Sequence, residues 1–285
     1  MWFRFVRMYP AYLIALLAMV SMVATSAMFH IPFNRASYPL KTLPFELLML
    51  HTWGSMTGIG WNYPSWSVSS EWFAYIFAFP CAIWLGKRIL QPVLVLGAVG
   101  LLLTFVIWRA FNQAPFLSFG YTPLQTSIFF LAGSLAWHLR MRIPWKQWLH
   151  LDSIAAVGVV LSLIFSSSLH PVLFEMTMFM SFTCLIVGLS QRQGLMVKFL
   201  NLSIMVWLGE ISYSLYLTHG VVKRALKPLV DRLMVVEQPV TFRILLLILH
   251  LGLILGAAAA LYYSVERPGR EWLRKIYPKR RGKSA

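Results

Sequence analysis

Acidic side chains are scarce in this 285-residue chain: nine Asp and Glu stand against 25 Lys and Arg, for a formal net charge of +16 at pH 7. Charge of either sign is thin, at 12% of residues, while 59% are hydrophobic and mean hydropathy is +0.68. Soluble domains carry about 25% charged and roughly 45–50% apolar residues, so the chain reads as an integral membrane protein. A basic excess gathered on one polar domain would fit a nucleic-acid partner. Here the basic residues come singly or in pairs between apolar runs, and that class is set aside. Cysteine is almost lacking. Cys81 and Cys184 both fall in apolar stretches, suggest neither a disulfide framework nor a metal site, and leave the redox compartment open. No soluble domain, internal repeat or low-complexity tract is visible.

What is present is a series of apolar runs. Their lengths predict an all-α polytopic bundle of about eight transmembrane helices, at about 9–29, 66–86, 90–108, 122–139, 151–168, 172–190, 203–225 and 242–264. Residues 1–270 form one domain on this reading, followed by a basic tail, 271–285. Lys and Arg in short loops favour the cytoplasmic face. Arg4 and Arg7, Lys87 and Arg88, Arg140, Arg142 and Lys146, Arg192 and Lys198, and the tail share one side if the helices alternate, so both termini are expected in the cytoplasm. Lys223, Arg224, Lys227, Arg232 and Arg243 disagree, falling near the opposite surface between the seventh and eighth spans. That loop either re-enters, has a use for its charge, or is balanced by Asp231 and Glu237. The N-terminal run has the outline of a signal peptide ending near Ala27. Further spans already commit the chain to the membrane, and Tyr9, Pro10 and Tyr12 look like an interfacial anchor, so the run is read as a retained helix.

One carboxylate enters the second run. In "NYPSWSVSSEWFAYIFAFP", Glu71 lies too deep for a helix-dipole role and has Val68 where a capping box needs Ser or Thr. At 100° per residue Ser67, Glu71 and Tyr75 share a face. An ionisable group inside a span marks function unless it is paired for structure. A second stripe in "LGEISYSLYLTHG" puts Ser212, Tyr216, His219 and Lys223 on one face, with Glu210 and Tyr213 elsewhere. His219 is a proton carrier or a bundle hydrogen-bonder.

These stretches resemble the membrane acyltransferase 3 family. "NYPSWSVSSEWFAY" is similar to its Asn-x-Pro-x-Trp-Ser-Leu-Ser-x-Glu-x-x-x-Tyr signature at Asn62, Pro64, Trp66, Ser67, Ser69, Glu71 and Tyr75, with Val68 for Leu. "FRFVRMYP", "LGEISYSLYLTH" and "YYSVERPGREW" resemble three further family segments, in the family's order, from Arg4 to Arg270. The resemblance implies O-acyl transfer, acetyl or sometimes succinyl, from cytoplasmic acyl-coenzyme A as donor substrate to a hydroxyl of a cell-envelope carbohydrate or lipid-linked glycan. The setting is the inner (plasma) membrane, with membrane lipids as partners, and no bound cofactor or metal is expected. Such chemistry needs a base, oxyanion donors and cations for the coenzyme phosphates. On this reading Arg4 and Arg7 hold coenzyme A, or else only set topology. Glu71, Ser67, Tyr75 and His219 serve the chemistry, and Asn62, Trp66, Ser69, Tyr213, Tyr216 and Glu266 line the acceptor cavity.

One departure matters. Family members carry two helices before the Arg-x-x-Arg segment, the first bearing the histidine regarded as catalytic base, and this sequence begins at "MWFRFVRMYP". The expectation is that Met1 is internal or a misassigned start, the alternative being a naturally shortened member, and that the chain alone does not turn over. His51 is the next candidate base by location. A transporter or flippase of an envelope precursor would also use intramembrane Glu and His with a basic rim, and an accessory subunit would need neither.

Overall fold

The computed structural model describes residues 2–30, 34, 37–53, 60–80, 83, 122–140, 151–169, 171–190, 194–233 and 238–276. Among these every regular element is helical, as lipid demands: a helix satisfies its backbone N–H and C=O groups within a single segment. The expected third span, 90–108, lies outside the described residues, as do Cys81, Lys87, Arg88, Arg142, Lys146, Arg192, Glu237 and the tail beyond residue 276. The chain divides into two compact units, Met1–Ser69 with Gly209–Ala285, and Ser70–Leu208.

The first unit is built on α1 (Trp2–Met28), whose buried stripe of Met8, Ala11, Tyr12, Ala15, Leu16 and Met19 follows the three-to-four spacing of one helix face. The helix begins well before the expected residue 9. Pro10 sits inside it and cannot donate to the Val6 carbonyl, yet packing by the C-terminal helix supports this stretch: the Trp2 indole donates to the Leu273 carbonyl at 3.3 Å, and Gly269 allows approach to Pro10. A 3-10 turn (Leu40–Thr42) leads into the short α2 (Leu43–Leu47), and α3 (Ser65–Phe73) starts in this unit. From the second half of the sequence come most of α8 (Ser203–Leu233), then α9 (Val240–Leu261), a π-helical turn (Tyr262–Glu266) and α10 (Arg267–Ile276).

α8 outruns its expected end near residue 225, because the basic residues read as a loop continue the helix. Lys227 pairs with Asp231 one turn on, at 2.8 Å and exposed, and the Arg224 guanidinium lies over the Tyr38 ring at 5.2 Å.

The second unit holds the π-helical end of α3 (Ala74–Ala78), α4 (Thr122–Arg140), α5 (Leu151–Ile164), α6 (Pro171–Leu189) and α7 (Leu195–Leu200). α5 and α6 run antiparallel: Gly158 meets Ser181 at one end and Gly188 meets Asp152 at the other. Phe130 takes the edges of Tyr75 and Phe79, and the Asp152 carboxylate accepts from the Met196 amide at 3.2 Å.

Among the described residues two helices are long and apolar enough to cross a bilayer, Arg4–Met28 and Val240–Leu273; Leu151–Ile164 and Met176–Leu189 are apolar but shorter. The second long helix is only 11% buried over its apolar window. Leu245, Leu247, Ile248, Leu249 and Leu251 are exposed, while Phe242, Leu246, His250, Ile254, Ala258 and Leu261 form a half-buried to buried stripe at helical spacing, so one face packs and the wider apolar face is left to suit lipid. The expected all-helical fold is therefore present among the described residues, with two candidate spans where the sequence predicts about eight.

Candidate active site

One turn of α8 reaches the other three motif stretches. The Tyr213 hydroxyl donates to the Met8 carbonyl at 2.9 Å, and the Ser214 hydroxyl donates to Glu266 Oε2 at 2.6 Å. The Ser67 hydroxyl donates to the Tyr216 oxygen at 2.7 Å, and Asn62 Nδ2 donates to the Leu217 carbonyl at 3.0 Å. At 100° per residue, five consecutive positions sweep more than a full turn, so each meets a different neighbour. Close approach on the Asn62 side depends on Gly220, where a Cβ would fall 2.7 Å from Asn62 Oδ1 and from Pro64 Cδ. Asn62 Oδ1 itself is buried without a hydrogen-bond partner among the described residues.

The expected stripe on α8 holds only at its middle. Tyr216 and His219 are half-buried with rings 5.6 Å apart, whereas Ser212 and Lys223 are exposed and the Ser212 hydroxyl turns back to the Gly209 carbonyl. Glu266, buried within the π-helical turn, feels the charges of Arg270 and Arg7. Arg4 and Arg7 are exposed on α1, and Trp66 is half-buried.

Of a cluster beside this turn, sequence reasoning singled out only His51, as a candidate base by location, and missed Glu46 and Ser65. α2 closes with a 6→1 and 5→2 pair of hydrogen bonds, Leu50 N–H to Phe45 O and Met49 N–H to Glu46 O, with Met49 in the left-handed region at φ 56°. That reversal carries His51 back toward Glu46. The Glu46 carboxylate accepts from the Trp61 amide at 2.9 Å, and the Tyr12 hydroxyl donates to the Glu46 carbonyl at 2.6 Å. His51 Nδ1 lies 3.3 Å from Glu46 Oε2, though out of line for a hydrogen bond, and His51 Nε2 lies 3.3 Å from Ser65 Oγ. The Ser65 hydroxyl donates to the Asn62 carbonyl at 2.6 Å. Gly60, at φ 82°, closes the cluster, since a Cβ there would fall 2.7 Å from Glu46 Oε1. All three side chains are about 1% exposed. Burial pushes the Glu46 carboxyl up to about 7, against the pull of the Trp61 and Tyr12 hydrogen bonds, and pushes the His51 imidazole down to about 4, partly offset by Ser65. Ser69 anchors the segment, accepting from Thr52 Oγ1 at 2.8 Å and donating to the Met49 carbonyl at 2.7 Å. One sequence signal was available: with only nine acidic residues in the chain, Glu46 between Phe45 and Leu47 is as exceptional as Glu71.

In the second unit the Tyr75 hydroxyl donates to Glu71 Oε1 within α3. Of the three residues expected to share a face, Glu71 and Tyr75 are hydrogen-bonded to each other, while Ser67 bonds to Tyr216.

Residues 1–263 match the sequence profile of a family described as an acyltransferase domain, acyltransferase 3. The chain belongs to the acyltransferase 3 family. No curated protein and no solved structure matches it. As an acyltransferase 3 member with apolar, lipid-facing helices it is a membrane acyltransferase, and the four motif stretches that carried the resemblance are those that the α8 turn draws on.

Proposed function

We propose that the chain transfers an acyl group, acetyl foremost, from acyl-coenzyme A to a hydroxyl of a cell-surface carbohydrate or lipid-linked glycan, at the inner (plasma) membrane with both termini cytoplasmic. The observation that carries this reading is the α8 turn: Tyr213, Ser214, Tyr216 and the Leu217 carbonyl tie Met8, Glu266, Ser67 and Asn62 to one turn of a single helix. Ester formation requires polar groups held rigidly near the reacting atoms, and hydrogen bonds between distant segments supply that rigidity. Arg4 and Arg7, exposed at one end of α1, suit the coenzyme phosphates as charge-assisted donors. Tyr216, Ser67, Asn62, Ser69 and Trp66 suit the acceptor, with His219 beside Tyr216, and Glu71 with Tyr75 offers a carboxylate for proton handling.

The test uses membranes bearing the protein expressed from its own coding frame, incubated with acyl-labelled coenzyme A and then separated into glycan, lipid and protein fractions. Label is expected in a hydroxyl ester of a glycan or glycolipid, released by mild base and reduced by Arg7→Ala. Absence of coenzyme A dependent label from every envelope fraction overturns the reading.

A further inference from the structure

Three groups around the loop before α3 have no part in the chemistry proposed above: Glu46 on α2, His51 in the loop and Ser65 at the start of α3. Their contacts run in series, Glu46 Oε2 to His51 Nδ1 and His51 Nε2 to Ser65 Oγ, each at 3.3 Å, ending at the 2.6 Å bond from Ser65 to the Asn62 carbonyl. We propose that these residues form a buried proton relay, in which a neutral His51 exchanges one proton with Glu46 through Nδ1 and another with Ser65 through Nε2.

The arrangement has the order of an acid, an imidazole and a hydroxyl, with each imidazole nitrogen facing a group that can give or take a proton. Two tautomers are compatible with the contacts. With Glu46 protonated, its O–H faces a bare Nδ1 and the Nε2–H donates to Ser65, whose own hydrogen goes to the Asn62 carbonyl. With Glu46 ionised, Nδ1–H faces the carboxylate and bare Nε2 accepts from Ser65, whose single hydrogen then leaves the Asn62 carbonyl. The surroundings hold this geometry: Tyr12 from α1 binds Glu46 and lies ring to ring with His51 at 6.5 Å, the Trp61 amide fixes the other carboxylate oxygen, and Gly60 fits against both residues. A carboxyl near neutrality beside an imidazole that resists charging is what such an exchange requires.

This inference rests on the acyl-transfer reading for its use. The proton of the acceptor hydroxyl passes by way of Ser65 and His51 to the Glu46 carboxylate as the new ester C–O bond forms and the thioester C–S bond breaks. The products are the ester, the coenzyme A thiolate and protonated Glu46, which then returns its proton to the thiolate or to water. The relay residues position and carry the proton.

The deciding experiment is nitrogen-15 NMR of histidine-labelled full-length protein in nanodiscs, which reads His51 independently of turnover, with Glu46→Gln and His51→Gln for assignment. His51 is expected to stay neutral from pH 8 to pH 5 and to change tautomer balance around pH 7, a change that vanishes in Glu46→Gln. A His51 that charges near its ordinary pKa, or a tautomer balance constant through pH 7, overturns the relay. The kinetic arm expects His51→Gln and Ser65→Ala each to lower kcat about 100-fold with the acyl-coenzyme A KM within twofold, and Glu46→Gln to remove the pH dependence of kcat around 7. Parent-like kcat in folded Ser65→Ala protein also overturns it. If the parent forms no ester while the NMR step is present, the acyl-transfer reading fails and the relay stands.

Discussion

Ser67 and Tyr216 share a 2.7 Å hydrogen bond although 149 positions separate them. Such a bond contributes about 0.5–1.5 kcal/mol net, so Ser67→Ala and Tyr216→Phe should each lower stability by about that much, and the double variant by less than their sum, measured by thermal unfolding in detergent. Additive losses would mean that the two side chains are not coupled. Gly220 offers a sharper contrast. A methyl at Gly220 would fall 2.7 Å from Asn62 Oδ1 and Pro64 Cδ, whereas nothing lies within 4 Å of the corresponding position at Gly252. Gly220→Ala should destabilise by about 1–3 kcal/mol, and Gly252→Ala should stabilise by up to about 1 kcal/mol through helix propensity alone; similar melting shifts in the two would contradict the packing at Gly220. Glu71→Gln keeps a hydrogen-bond acceptor for Tyr75 and removes the charge. Acyl transfer should be lost while the protein level in membranes is kept, and parent-like transfer would remove Glu71 from the chemistry.

At the scale of elements, the α2 turn and the start of α3 hold a titratable pair whose effects on stability oppose one another. Glu46, raised from 4.5 to about 7, binds an extra proton in the folded state between those values, so its contribution is fully present below pH 4.5 and is lost as pH rises through 7. His51, lowered from 6.5 to about 4, binds one proton fewer, so its contribution is present above pH 6.5 and is lost as pH falls through 4. Each slope is about 1.4 kcal/mol per pH unit, and where the windows overlap they cancel, because folding moves a proton from the imidazole to the carboxyl and exchanges none with water. Glu46→Gln should therefore expose the histidine slope, with stability falling from pH 6.5 to 4, and His51→Gln the carboxyl slope, with stability falling from pH 4.5 to 7. Melting temperatures of the two variants that run parallel with pH would show that the pair is not held as described.

For the whole molecule, the issue is which faces meet lipid. The leucine-rich face of α9 is exposed, with a narrower stripe from Phe242 to Leu261 turned inward, and the long apolar window of α1 is 33% buried. Both helices are long enough for the roughly 30 Å hydrocarbon layer. On the proposed topology, argued from the basic residues of the short loops, both termini lie in the cytoplasm. Accessibility tags at residue 2 and after residue 276 should report the cytoplasm, and a tag at Tyr38 the far side. A cytoplasmic Tyr38 would reverse the first span and with it the side on which the loop bearing Glu46 and His51 lies.

Composition by itself determined the solvent and the fold class, since too few charged residues remain to cover a water-facing surface and only helices satisfy a single apolar segment in lipid. Order and spacing of the motif residues determined the family, and local spacing also brought Glu71 to Tyr75, an i,i+4 pair that one helix creates unaided. The partners of Ser67 and Glu266 were not legible, because helical periodicity says which residues share a face and nothing about which distant helix the face meets. Glu46 was hidden for a related reason: its burial comes from the left-handed turn at Met49 and from Tyr12, Trp61 and Gly60 closing around it, contacts between segments that no single stretch of sequence contains. Tertiary packing alone decided that a loop carboxyl and a loop imidazole lose water together, and desolvation, which depends on every neighbour at once, is what sets their charge.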